Sequence, residues 1–183
     1  PAEEIYIPGN HNLENALAAT ALTMLAGVPA NIVRHTLKTF KGVEHRIETV
    51  RTVDGVTYIN DSKGTNVDAS VQAVRAMKAG TVLLAGGYDK HCDFLPFAKE
   101  IKDSKIHTVV VLGDTADQIE KALREVGFES ILRAGSFEEA VMLARSCAKP
   151  GENVLLSPAC ASFDMFSDYE QRGRVFKEIV GRL

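Results

Sequence analysis

Two stretches decide the fold class, "TVLLAGG" (residues 81–87) and "HTVVVLG" (residues 107–113). Each contains a short run that is apolar at every position, too short for a typical helix and bounded by glycine. Such runs are apolar on both faces, as expected of central parallel strands that are covered by helices on either side. Because strand and helix patterns alternate downstream of residue 47, the sequence predicts a doubly wound, mostly parallel α/β sheet with helices on both faces.

The other elements follow from local patterns. "IETVRTVDGVTYIND" (residues 47–61) predicts a β-hairpin around Asp54-Gly55. Strands are predicted at "SILRAG" and "NVLLSPA", and the place of the short strand at 130–132 in the sheet stays open. Helices are predicted at 94–101, at 114–126 with Asp114 as N-cap, at 136–148, and after Asp164, which is interpreted as the cap of the last helix.

The first forty residues predict two helices. "NHNLENALAATALTMLAG" (residues 10–27) has apolar residues at helical spacing, with Asn10 as N-cap and Gly27 as the C-terminal stop. "VPANIVRHTLKTF" (residues 28–40) forms the second helix. An Ala-rich helical hairpin cannot build a core alone, so we place a boundary near Gly42 and predict two domains, 1–42 and 43–183. The second is a Rossmann-like domain.

Composition excludes several classes of protein. The net charge is −3 and the basic residues are scattered, so we expect no nucleic-acid partner. No apolar run approaches the roughly 20 residues of a membrane helix, and the acidic start is unlike a signal peptide. The three cysteines form no CxxC pair, which suits a reducing cytoplasm. His91, Cys92 and Asp93 are adjacent and rarely converge on one ion, so we predict no metal site in this chain.

Ligands of open α/β sheets bind beyond the carboxyl ends of the strands. Four loops occupy that edge here: "NDSKGTN" (60–66), "GGYDKHCDF" (86–94), "GDTAD" (113–117) and "SPACASFD" (157–164). Chemistry is therefore expected in these loops.

Each loop has a functional and a structural interpretation. Lys63 and Thr65 beside a helix start suit a carboxylate or phosphate, but Asn66 as a simple cap and a solvated Lys63 explain the loop equally well. Lys90 is a second cation on the same rim, although a glycine turn with surface charges is the more common outcome. Cys160 is interpreted as a packing residue rather than a nucleophile.

Two further pairs of residues are candidates for binding a ligand: Ser157 with Ser162 in the last loop, and Arg46 with Asp61 at the two ends of the predicted hairpin. Ser157 and Ser162 can donate hydrogen bonds to an oxyanion, and capping alone does not explain the run of small residues around them. Asp61 ends a strand, where an acid often contacts a ribose or a metal-bound phosphate. Arg46 precedes a strand, and a lone arginine there is usually a surface charge.

Three motifs together resemble the Mur ligase family: "GNHNLENALAA" (9–19), "HRIETV…YINDSKGTN" (45–66) and "LLSPACASFDMFSDYEQRG" (155–173). The first is shared across the family, and the other two resemble the members that add D-glutamate. The likeness runs from Gly9 to the end of the chain. Gly64 departs from it, since the family often has alanine there, and so does Tyr169, where phenylalanine is common.

The resemblance implies a cytoplasmic, ATP- and Mg²⁺-dependent ligase of three domains. Such an enzyme adds D-glutamate to UDP-N-acetylmuramoyl-L-alanine through an acyl phosphate during peptidoglycan precursor synthesis. Residues 43–183 then form the C-terminal domain that binds the amino acid, and residues 1–42 are the last helices of the central ATP-binding domain. No GxxxxGK[ST] motif occurs in the sequence. We therefore expect a C-terminal portion, inactive alone, whose Mg²⁺ ligands lie in the missing N-terminal and central domains.

The resemblance also implies roles for individual residues. Asn12 and Asn15 are expected near the ATP adenine, and Arg46 and Asp61 at the nucleotide phosphates and ribose. The catalytic residues implied are Lys63, Arg46 and Asp61. The residues implied for D-glutamate are Thr65, Lys90, Ser162 and Tyr169, the last through its backbone.

Two other hypotheses remain open on the sequence. One is a related amide-forming ligase of the same superfamily, similar to a folylpolyglutamate synthetase. The other is a stand-alone Rossmann-like binding module without catalytic activity.

Overall fold

The computed structural model describes residues 2–5, 7 and 9–183. The chain forms two compact units, Pro1–Glu44 and His45–Leu183. The division falls two residues after the boundary predicted at 42/43.

The first unit is helical. A 3-10 turn at Ala2–Glu4 precedes α1 (Asn10–Leu25) and α2 (Ala30–Thr39). Gly27, with φ of 83°, follows the end of α1 as predicted. The predicted Asn10 cap is wrong, because α1 begins at Asn10 itself and Gly9 occupies the N-cap position.

The two helices bury little apolar surface within the described residues. Ala16 is the buried apolar residue of α1, and α2 has none. An apolar hollow of about 470 Å³ is lined by residues of both helices, among them Leu13, Leu17, Val33 and Leu37. This agrees with the expectation that the hairpin does not build a core by itself.

The second unit contains a six-stranded sheet. Its strands are β1 (Glu48–Val53), β2 (Val56–Asn60), β3 (Thr81–Ala85), β4 (Ile106–Val111), β5 (Ile131–Arg133) and β6 (Asn153–Leu156). Their order is β1-β2-β6-β3-β4-β5. β1 pairs with β2 antiparallel, and every other pair is parallel. The short strand left open by the sequence therefore lies at the edge, beside β4.

Five helices cover the two faces of this sheet. They are α3 (Val67–Ala76), α4 (Leu95–Lys102), α5 (Ala116–Glu125), α6 (Phe137–Cys147) and α7 (Tyr169–Gly181). Leu83 of β3 packs in one apolar cluster with α3, α4 and α5, whereas Val82 and Leu84 pack in the other with α6 and α7. The central strands are buried on both faces, which confirms the predicted fold class.

Two predicted caps are wrong. α5 begins at Ala116 with Thr115, not Asp114, at its N-cap position. α7 begins at Tyr169, and Asp168 caps it by accepting a 2.6 Å hydrogen bond from the Gln171 amide. Asp164 comes too early in the chain to cap α7, and its carboxylate packs against Gly113 instead. None of the described helices is both long and apolar enough to cross a lipid bilayer.

Candidate functional site

The loops that follow β3, β4 and β6 are hydrogen-bonded to one another at the carboxyl edge of the sheet. The Tyr88 amide donates to the Ala161 carbonyl at 3.0 Å, and the Gly86 amide donates to the Pro158 carbonyl at 2.8 Å. Gly87 has φ of 147°, and a Cβ there would collide with the Ala161 carbonyl oxygen. This close approach of two backbones requires glycine and brings two of the predicted loops together.

Arg172 of α7 connects the loop after β2 with the loop after β6. It is 2% exposed. Its Nε donates to the Ser62 hydroxyl at 2.9 Å, and Nη2 donates to the carbonyls of Ser62 at 2.9 Å and Cys160 at 3.1 Å. Nη1 donates to the Ala161 carbonyl at 3.2 Å, and the Ser62 hydroxyl donates to the Tyr169 carbonyl at 2.7 Å. We call this group of contacts the Arg172 network.

Burial lowers the pKa of Arg172 to about 10, so the guanidinium is still protonated at neutral pH. It binds backbone carbonyls rather than a carboxylate, which leaves its charge only partly balanced. The predicted site did not include this residue. Its position on the buried stripe of α7, four residues before Phe176 and seven before Ile179, was the available signal.

A second buried network joins the end of β2 to the loop after β6. Asp61 is 6% exposed, and its Oδ1 accepts from the Ile47 amide at 3.2 Å. Its Oδ2 accepts from the Ser157 hydroxyl at 2.7 Å. The hydroxyl oxygens of Ser157 and Ser70 are 2.8 Å apart, and Ser70 Oγ accepts from the Ala159 amide at 2.9 Å. We call these four hydrogen bonds the Asp61 network.

The Asp61 carboxyl has a raised pKa of about 6, chiefly because burial disfavours its charged form. The hydrogen bonds from Ser157 and Ile47, and the positive charges of Arg46 and Arg172, act in the opposite direction. Arg46 itself is exposed and lies next in sequence to Ile47. The predicted nucleotide residues Arg46 and Asp61 thus interact electrostatically at one corner of the sheet.

Lys63 lies against an aromatic ring. Its Nζ is 3.9 Å from the centroid of the Tyr169 ring, so two predicted site residues are in direct contact. Lys63 is half-buried and its ammonium has this aromatic partner, and Asn66 caps α3, as one interpretation predicted, by accepting from the Ala69 amide at 2.9 Å. Thr65, which lies between Lys63 and Asn66 in the sequence, is half-buried.

The two remaining loop residues differ in exposure. Ser162 is 2% exposed, and its hydroxyl forms no hydrogen bond with another residue in the described part of the chain. Lys90 is exposed, next to Asp89, whose carboxylate accepts from Gln118 of α5 at 2.9 Å. Within the described ranges, no contact joins the Lys90 side chain to Lys63 or Ser162. Asn12 and Asn15 lie on α1 in the first unit, and Asn15 is exposed.

Cys160 is a protonated thiol at neutral pH and therefore a poor nucleophile. It is 4% exposed, and its Sγ is 3.2 Å from the Thr115 hydroxyl. Burial raises its pKa to about 11. A thiolate is scarce under these conditions, which agrees with the packing interpretation.

A model of the family described as "Mur ligase, glutamate ligase domain" matches residues 45–160. The chain belongs to the Mur ligase family. The match begins at the first residue of the second unit, and it contains Arg46, Asp61, Lys63, Thr65 and Lys90.

Relatives and solved structures agree with this assignment. The chain is 53% identical over 183 residues to the UDP-N-acetylmuramoylalanine–D-glutamate ligase of Thermoanaerobacter sp. (strain X514), covering 99% of this chain and 40% of that protein. It is 54% identical over 179 residues to the enzyme of the same name from Pelotomaculum thermopropionicum, covering 98% and 39%. The chain thus spans about 40% of the length of these relatives.

Solved structures show the fold at low identity. The UDP-N-acetylmuramate–alanine ligase of Thermotoga maritima superposes with a TM-score of 0.74 at 22% identity, covering 96% of this chain and 39% of that one. A folylpolyglutamate synthase from Mycobacterium tuberculosis gives 0.66 at 15% identity, covering 93% and 41%. Enzymes with different names share this fold, so the fold alone does not identify a substrate.

Proposed function

We propose that this chain is the C-terminal portion of a cytoplasmic ATP-dependent ligase that joins D-glutamate to UDP-N-acetylmuramoyl-L-alanine. The reaction forms an amide bond in the synthesis of a peptidoglycan precursor. The observation that carries the proposal is the contact of Lys63 with Tyr169, next to the loop of Ser162, at the carboxyl edge of the sheet. Identity of 53–54% to two ligases named for D-glutamate supports this choice of amino acid.

D-Glutamate carries two carboxylates, and the site offers suitable groups for both. The Lys63 ammonium and the Thr65 hydroxyl, beside the start of α3, would bind the α-carboxylate together with Lys90. The Ser162 hydroxyl would donate to the side-chain carboxylate, and the small residues before it leave room for the ligand. Tyr169 holds Lys63 in place through its ring, while its carbonyl is already bonded to Ser62.

Mur ligases are ATP-dependent and generally use Mg²⁺, and part of this chain suits a nucleotide. Arg46 is exposed and can reach a phosphate, and Asp61 above its pKa of about 6 can accept a hydrogen bond from a ribose hydroxyl. Asn12 and Asn15 would lie near the adenine. Bound ATP supplies the phosphoryl group that activates the substrate carboxylate. Lys63 would stabilise negative charge at the reacting centre, and we expect the Mg²⁺ ligands in the central domain.

An acceptor screen with the full-length protein tests the proposal. ADP formation in the presence of UDP-N-acetylmuramoyl-L-alanine should require D-glutamate and should not occur with L-glutamate. Activity with a folate and L-glutamate would instead favour the related synthetase. No ADP formation with any acceptor would favour a binding module.

Two variants separate the residues assigned to D-glutamate from those assigned to ATP. Lys90→Ala should raise the KM for D-glutamate and leave the KM for ATP unchanged, because Lys90 is assigned to the D-glutamate carboxylate. Arg46→Ala should do the reverse. An equal effect of both variants on both constants contradicts the assigned roles.

A further inference from the structure

The Asp61 network contains buried hydroxyls that no step above uses. Ser70 of α3 and Ser157 after β6 are both 0% exposed. Together they connect the Asp61 carboxylate, at the end of β2, to the backbone of the loop that contains Ser162. The path is Asp61 Oδ2 to Ser157 Oγ (2.7 Å), then to Ser70 Oγ (2.8 Å), then to the Ala159 amide (2.9 Å).

The hydrogen bonds of this path have a direction. Ser157 has one proton, and an ionised Asp61 accepts it in preference to the neutral Ser70 hydroxyl. The proton of Ser70 can then be donated to Ser157 Oγ at 2.8 Å or to the Gly64 carbonyl at 3.4 Å. Ser70 in turn accepts from the Ala159 amide. The Ala159 amide is always the donor of its bond, whereas the charge of Asp61 orients the Ser157 hydroxyl at the other end of the path.

The far end of the path holds an unusual backbone conformation. Ala159 has φ of 58°, in the left-handed region that alanine seldom adopts. The hydrogen bond from the Ala159 amide to Ser70 Oγ stabilises this conformation. Because Ser162 is only three residues further on, the conformation at Ala159 sets where the Ser162 hydroxyl lies.

Gly64 provides the space in which the three side chains meet. A Cβ at this position would be 2.7 Å from Asp61 Oδ2 and 2.9 Å from each of the hydroxyls of Ser157 and Ser70. The close spacing of these groups therefore depends on glycine at position 64.

We propose that Ser157 and Ser70 are positioning residues that link the nucleotide corner at Asp61 to the amino-acid loop at 159–162. The Asp61 network keeps this loop in the form that binds the amino acid. This proposal rests on the proposed function for its kinetic consequences, but not for its structural ones. Neither serine touches the reacting atoms.

The kinetic test compares Ser70→Ala, Ser157→Ala and the double variant in the full-length protein. Ser70→Ala, at the loop end, should raise the KM for D-glutamate about tenfold, the value of one lost hydrogen bond, with the KM for ATP unchanged. Ser157→Ala, which also contacts Asp61, should raise both constants. The double variant should be no worse than the more affected single variant, because either change interrupts the same path.

Thr81→Val is the matched control. Thr81 is 0% exposed and its hydroxyl donates to the Ala79 carbonyl at 2.9 Å, but it begins β3 at the opposite edge of the sheet. It should lose stability while both KM values stay unchanged. If the serine variants also lose only stability or kcat, or if their effects on the KM for D-glutamate multiply in the double variant, the positioning role is wrong.

Hydrogen exchange separates failure of this inference from failure of the proposed function. The Ala159 amide should exchange faster in both serine variants and at its normal rate in Thr81→Val, with the Val110 amide of β4 as internal reference. If wild-type protein shows no D-glutamate-dependent ADP formation, the proposed function fails, yet this measurement still tests the network. Unchanged exchange at Ala159 in both serine variants overturns the inference.

Discussion

Two arginines in this chain have opposite surroundings. Arg133, at the end of the edge strand β5, has a side chain that is 53% exposed and binds the carboxylates of Asp117 and Glu120. Arg172 is 2% exposed and binds one hydroxyl and three backbone carbonyls from two loops. Arg133 forms ion pairs with two carboxylates, whereas Arg172 forms none within the described part of the chain but joins two loops of the candidate site.

Solvent explains the difference. Water screens the attraction between Arg133 and its carboxylates, and holding long side chains in place costs entropy. The partners of Arg172 are removed from water, so the carbonyls of Ser62 and Cys160 would lose their donor without gaining water, whereas the Ala161 carbonyl would keep the Tyr88 amide. A buried arginine that binds main chain therefore controls where loops lie, whereas an exposed one mostly contributes to solubility.

The largest effect is expected for Arg172→Met. The change removes the donor of the buried Ser62 and Cys160 carbonyls and one of the two donors of the Ala161 carbonyl, and should lower the free energy of unfolding by about 3–5 kcal/mol. Urea unfolding followed by circular dichroism measures the loss. Arg172→Lys keeps the charge but not the fork of donors, so its loss of unfolding free energy should be smaller than that of Arg172→Met. It provides the measurement if Arg172→Met does not fold. A loss below about 1 kcal/mol contradicts the role of the Arg172 network.

The next effect is a pH dependence that comes from Asp61. Its pKa rises from 3.8 to about 6 on folding, so the folded state binds the proton more tightly. The contribution of this proton to stability is complete below about pH 4 and is lost as pH rises through about 6, a change of about 3 kcal/mol. Asp61→Asn does not titrate. Its stability relative to wild type should therefore increase by about that amount between about pH 4 and pH 7.

Urea unfolding of both proteins across this pH range makes the measurement. Any constant offset from the new amide cancels, since only the slope with pH is compared. Parallel curves for the two proteins show that Asp61 is not the group that titrates.

A smaller effect is expected for Gly64→Ala. The new methyl group must displace Asp61, Ser157 or Ser70, which should cost about 1–3 kcal/mol. Gly181→Ala is the matched control, because a Cβ there meets no atom within 4 Å, and as the last residue of α7 it should gain less than about 0.5 kcal/mol. Thermal unfolding of the two variants should give shifts of opposite sign. Equal shifts would mean that the space at Gly64 is not restricted.

The smallest effect is expected for Arg133→Ala. Loss of its exposed ion pairs should change the free energy of unfolding by less than about 1 kcal/mol, and less still in high salt. Urea unfolding at two salt concentrations checks this. A loss as large as that of Arg172→Met would overturn the comparison between the two arginines.

The sequence predicts the fold well because its strands are continuously apolar. Val82, Leu83 and Leu84 must be covered on both faces, which specifies a parallel sheet with helices on each side. Asp54-Gly55 specifies the hairpin. The position of β5 was not predictable, because a three-residue strand of partly buried residues does not indicate its neighbour.

The site was predicted less completely. Residues in the loops after strands, such as Lys63, could be selected from the rule that ligands bind at the carboxyl ends of strands. Tyr169 was named only through the resemblance and for its backbone, whereas the structure shows its ring in contact with Lys63. Arg172 was missed because composition suggests that an arginine on a helix faces water. The contact between Ser70 and Ser157 was not predicted, because the two residues are 87 positions apart in the chain. They come together only because β6 pairs with β2 in the sheet.

The stacking of Lys63 on Tyr169 has an optical consequence. The chain has no tryptophan and four tyrosines, so its near-ultraviolet absorption comes mainly from phenol rings. An ammonium 3.9 Å from one of these rings shifts the energy of its electronic transition. Any ligand that draws the Lys63 charge away should therefore produce a tyrosine difference spectrum, and occupancy of the site can be followed without a label.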